Sequence, residues 1–80
     1  MRMLMQFSCP IEPFNTLVKN GTAGAKIQQA MAAIKPEAAY FTEQNGHRGG
    51  VLVVEVSDAS QIPALAEPLF LLFNAEVHFQ

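Results

Sequence analysis

A single cysteine, Cys9, leaves no partner for an internal disulfide. A metal-binding set is missing too. A structural zinc site takes about four Cys or His ligands, and beside Cys9 the chain has only His47 and His78, in none of the usual ligand spacings. No metal or cofactor is expected. Positive charge is scarce: five Lys and Arg against seven Asp and Glu give a net charge of −2. The five are spread along the chain, whereas nucleic-acid binding needs them clustered against phosphates. Long apolar runs are also lacking, since Leu69–Phe73 and Val51–Val54 fall far short of the roughly 20 residues that span a bilayer. No basic start, apolar run and small-residue cleavage site open the sequence, so no secretory signal is expected. The expectation is a soluble cytoplasmic protein without nucleic-acid or membrane partners, and a free thiol suits a reducing compartment.

What the chain has in quantity is apolar side chains, which make up 50% of its 80 residues, against 15% charged. Composition does not shift along it, so one domain over residues 1–80 is expected. A body of this size buries roughly 60% of its unfolded surface, and such thin cores are usually reinforced by disulfides, metal or a partner subunit. With the first two excluded, a second subunit is the expected reinforcement.

Residues 1–9 alternate Met3, Met5, Phe7 and Cys9 with Leu4, Gln6 and Ser8, the period of a strand with two unlike faces. After Pro10 the spacing turns helical, first on Phe14, Leu17 and Val18, then on Ile27, Ala30, Met31 and Ile34. Asn20, Gly21, Thr22 and Gly24 predict an interruption between the two stripes, because glycine weakens a helix by about 1 kcal/mol relative to alanine. Lys35-Pro36 ends the second stripe.

Two β-rich runs, residues 38–43 and 51–56, then flank Gln44–Gly50, a hairpin signal. Asn45-Gly46 suits a tight turn, and Gly49-Gly50 suggests a bulge or a longer flexible loop. Asp58 with Gln61 three residues on reads as a capping-box variant. It opens a helix whose stripe is Ile62, Leu65, Ala66, Leu69, Leu72 and Phe73, with Pro63 and Pro68 expected to distort it. Leu71 falls opposite that stripe. Asn74 ends the helix, and residues 75–80 alternate as a last strand. A continuation beyond Gln80 would not be unexpected.

The fold class expected is α+β, ferredoxin-like β-α-β-β-α-β, with a four-stranded antiparallel sheet and both helices on one face. Alternation assigns Met3, Met5, Phe7, Ala39, Phe41, Leu52, Val54, Val56, Val77 and Phe79 to the helix side. The bare face would carry Leu4, Gln6, Ser8, Tyr40, Thr42, Val51, Val53, Glu55, Glu76 and His78. A sheet face that mixes Leu, Val and Tyr with polar groups is expected to pack on its copy in a two-fold homodimer.

On the run Lys35-Pro36-Glu37-Ala38-Ala39-Tyr40-Phe41-Thr42-Glu43, the Asp58–Phe73 helix and the close Phe73-Asn74-Ala75-Glu76-Val77, the chain resembles the dimeric α+β barrel superfamily. Within it, the chain is similar to an uncharacterised bacterial family of small proteins. The resemblance implies a homodimer enclosing a cavity. It carries over no activity and no catalytic residue, since fold does not fix function.

His78 and Glu55 are the candidate catalytic pair, a His beside a carboxylate as general base; the alternative is a hydrogen-bonded polar pair at an interface. Gln6, Tyr40, Thr42 and Glu76 are candidate ligand-binding residues around them, and Tyr40 equally suits a packed interface. Glu43, His47 and Arg48 flank the expected loop, either as a lid over an anionic substrate or as a solvated turn. Cys9 lacks a neighbouring base and reads as a small hydrophobe. Three functions stay open: a small-molecule-binding domain, a cofactor-free monooxygenase or isomerase of the kinds that the resemblance implies, and an interaction module without ligand.

Overall fold

The computed structural model describes Met1–Gln80. In chain order the elements are β1 (Arg2–Ser8), α1 (Ile11–Lys19), α2 (Ala23–Ile34), β2 (Ala38–Gln44), β3 (His47–Glu55), a 3-10 turn (Ala59–Gln61), α3 (Ile62–Phe73) and β4 (Glu76–Phe79). The strands form one antiparallel sheet in the order β2-β3-β1-β4. This is an α+β architecture whose strand order is consistent with a ferredoxin-like arrangement, the first helix being split into α1 and α2. The split falls where Asn20, Gly21 and Thr22 were expected to cause it. Asn20 Oδ1 accepts from the amide and hydroxyl of Thr22, and Gly21 has φ +81°, a backbone that side chains resist.

Period-two alternation sorts the sheet as the sequence predicts. Met5, Phe7 and Cys9 on the β1 side and Leu52, Val54 and Val56 on the β3 side are buried under the helices, where Ala30, Ile34, Ala66, Leu69 and Phe73 meet them in one cluster. Each such large apolar side chain contributes about 1.5–3 kcal/mol when fully buried. Only 16 of the 80 residues are buried, so the core is as thin as the chain length implies. No helix is long and apolar enough to cross a membrane.

Two local expectations are corrected. The loop expected over Gln44–Gly50 is instead a two-residue turn, Asn45-Gly46, with φ +54° and +82°, the positive pair that matches the twist of a hairpin. Gln44 pairs with His47 and Glu43 with Arg48, so Gly49 and Gly50 lie inside β3 opposite Thr42 and Phe41. They serve close approach rather than flexibility. A Cβ on Gly50 would collide with the carbonyl oxygen of Tyr40 and sit 3.1 Å from Cε1 and Cζ of Phe7, and one on Gly49 would collide with the carbonyl oxygen of Phe7.

The second correction concerns α3, which runs continuously through both prolines. Pro63 stands in the first turn, where its missing N–H has no helical acceptor to lose. Pro68 lies inside the helix and removes one bond, to the carbonyl of the exposed Ala64, while Ala66, Leu69 and Phe73 anchor the turns on either side. The expected Asp58 capping box is present on the 3-10 turn, and Asn74 closes α3 with φ +55°.

Candidate functional site

The helix layer does not cover the whole sheet. Ala39 and Phe41 alternate onto the helix side of β2, yet both are exposed, Phe41 at 56%. The edge strand therefore overhangs the helices and leaves a cavity of about 320 Å³ between sheet and helices. Phe7 and Cys9 form its floor, Phe14 of α1, Ile27 and Met31 of α2, and Leu69 and Phe73 of α3 its walls, and Phe41, Thr42, Arg48 and Gly49 border it from the hairpin. Nine of the twelve lining residues are hydrophobic. Phe14 and Phe73 stack with ring centres 4.9 Å apart, and Phe7 meets Phe41 edge-on at 6.3 Å, both favoured aromatic geometries.

One cation stands at this apolar space. Alternation back from Leu52 through Gly50 puts Arg48 on the helix side of β3, where its guanidinium lies 4.9 Å from the centre of the Phe14 ring and Nη1 donates to Asn15 Oδ1 at 2.6 Å. The start of α1 fixes both partners: extended Glu12 turns its carboxylate back so that Oε1 accepts from the Thr16 amide and hydroxyl, each at 2.9 Å. Those bonds, backbone first, hold the Glu12 carboxyl below its usual range. Burial raises the Cys9 thiol above its ordinary value, and the charge of Arg48 opposes that rise.

The opposite, bare face holds most of the polar residues singled out in the sequence. The register sets Tyr40, Val51, Gln6 and His78 in one row across the four strands, with Thr42, Gly49, Ser8 and Glu76 in the next. Gln6, Glu76, His78 and His47 line a cleft of about 310 Å³. Tyr40 stands on the opposite edge strand from His78, with β3 and β1 between them, outside that cleft and 63% exposed. Glu55 is not with them. It faces Arg2, four residues along β1 from Gln6, so roughly 13 Å of strand separates its row from that of His78. Its carboxylate lies 3.0 Å from the Met1 amino group. The geometry does not assemble the expected His78–Glu55 pair.

Glu43, His47 and Arg48, read from the sequence as either a lid or a solvated turn, sit in paired strands. Glu43 Oε2 accepts from the Gly46 amide at 2.8 Å and so braces the turn, His47 borders the bare-face cleft, and Arg48 borders the cavity on the other side. No group of three or more His, Cys, Asp or Glu is placed to hold a metal ion. No known family, curated protein or solved structure matches the chain.

The cavity walls escaped sequence reasoning because Phe14, Ile27, Met31 and Phe41 read there as ordinary core. The available signal was the Asn45-Gly46 turn. A two-residue hairpin at that point fixes the side on which Arg48 emerges, and sets Phe41 on a strand that the helices cannot all reach.

Proposed function

We propose that this chain is a small-molecule-binding domain that holds an apolar ligand in the cavity between its helices and its sheet. The carrying observation is the cavity itself, whose volume falls in the range of ligand sites, and whose lining joins aromatic and aliphatic side chains to very few polar groups. Two copies pair through the bare face in this reading, as in the dimeric α+β barrel superfamily that the sequence resembles. Supporting this pairing are the thin core and a sheet face that leaves Leu4 at 40% and Tyr40 at 63% exposed beside half-buried Val51 and Val53. Pairing would also enclose the polar cleft of Gln6, His47, Glu76 and His78. We place the protein in the cytoplasm, in keeping with its free cysteine.

The ligand reading is tested with 2-naphthamide, a neutral aromatic probe, by thermal unfolding of the wild-type chain and of Met31→Trp, whose larger ring narrows the cavity from α2. Ligand at about ten times its Kd adds roughly 1.4 kcal/mol of stability. That should raise the wild-type midpoint by about 6–11 °C for a domain of this size and leave Met31→Trp unmoved. An unmoved wild type, or equal shifts in both, would refute it. Pairing is tested by sedimentation at micromolar concentration: the wild type should run as a dimer and Val51→Lys as a folded monomer, and a folded wild-type monomer would refute it.

A further inference from the structure

We propose that the cavity takes a flat aromatic monocarboxylic acid, its ring system between the phenylalanine pairs and its carboxylate on Arg48; this rests on the ligand reading above. The aromatic part follows from the walls. Phe14 with Phe73 and Phe7 with Phe41 place four rings around one space of about 320 Å³, and a planar conjugated guest meets such walls with offset and edge contacts.

The acid follows from what Arg48 lacks. A guanidinium carries five N–H donors, and Arg48 engages one of them, on Asn15. It forms no ion pair: the chain's two salt bridges involve Met1 with Glu55 and Arg2 with Glu37. Glu43, its partner in the ladder, accepts from the Gly46 amide, and the Glu12 carboxylate of α1, near enough for the Arg48 charge to help lower its pKa, accepts from Thr16 and forms no ion pair with Arg48. Stacking on Phe14 and the bond from Nη1 to Asn15 hold the fork at the mouth of the cavity, where two parallel N–H groups match a carboxylate.

A single negative charge follows from the rest. No second cation lines the cavity, and the chain as a whole is acidic, so a diphosphate or a dicarboxylate would leave charge unpaired in an apolar space.

The test is calorimetric titration of 2-naphthoate and 2-naphthamide, which share shape and ring system but differ in charge. The wild type should bind the acid about tenfold more tightly than the amide, as one charge-assisted contact at an exposed guanidinium gives. Arg48→Met should bring the two affinities together by weakening the acid alone, and Met31→Trp should lose both. The acid-to-amide ratio in the wild type needs no variant to be informative. Equal affinities there would overturn the carboxylate assignment and leave the cavity reading standing. Loss of both probes in a folded Arg48→Met would show a structural role for Arg48 and overturn it too. Binding of neither probe to the wild type would overturn both readings.

Discussion

Replacing Gly50 by alanine tests the packing that joins hairpin and cavity. The added methyl would collide with the carbonyl oxygen of Tyr40 in β2 and press at 3.1 Å on the ring of Phe7, which is 6% exposed. The carbonyl belongs to a paired strand and cannot swing aside as a side-chain tip can. Overpacking a core by one methyl costs about 1–3 kcal/mol. The upper half applies here because backbone is the obstacle, and the lost glycine entropy of the unfolded chain returns about 0.4–1 kcal/mol. The net cost is then about 2 kcal/mol, or a fall in midpoint of about 8–16 °C for a domain of this size. Thermal unfolding followed by far-ultraviolet circular dichroism, at one fixed protein concentration, reads this directly. Gly24→Ala is the control, since no atom lies within 4 Å of its Cβ position in α2, and it should leave the midpoint level or slightly higher. A Gly50→Ala midpoint as little changed as that of Gly24→Ala would refute the close approach of β2, β3 and Phe7.

Asp58→Ala removes the side-chain acceptor that holds the Ser60 amide at 3.2 Å and breaks the capping box with Gln61. It should cost about 1 kcal/mol in urea unfolding with an unchanged slope, and an unchanged midpoint would contradict the cap. Cys9 gives a pH dependence. Burial holds its folded pKa above the ordinary 9.0, so its contribution to stability is complete below 9.0 and is lost as pH climbs from there through the raised value. The alkaline fall in midpoint should therefore be shallower in Cys9→Ala than in the wild type, and parallel curves would contradict the sign.

The fold was legible wherever one local rule decided alone. Alternation in β1, β3 and β4 named the buried faces, Asn20–Thr22 named the helix break, and Asp58 and Asn74 named the ends of the second helical segment. It was less legible where two rules competed. Gly49-Gly50 read as looseness by composition, but pairing with Thr42 and Phe41 made it a point of close contact. Pro68 read as a distortion, yet the apolar anchors around it carry α3 through. The site was harder still, because sharing a face is not sharing a row: Glu55 and His78 both alternate onto the bare side, and only the register shows the four-residue offset of their rows. The cavity depends on how far the helices reach across the sheet, which no local spacing encodes.

Whether ligand enters on the helix side or on the bare face is read most directly by mapping amide chemical-shift changes while 2-naphthamide is titrated into the isotopically labelled chain. Binding in the proposed cavity predicts saturating shifts centred on Ile27, Met31, Phe41 and Gly49. Shifts centred instead on Gln6, His47, Glu76 and His78, or no saturable shifts at all, would contradict it.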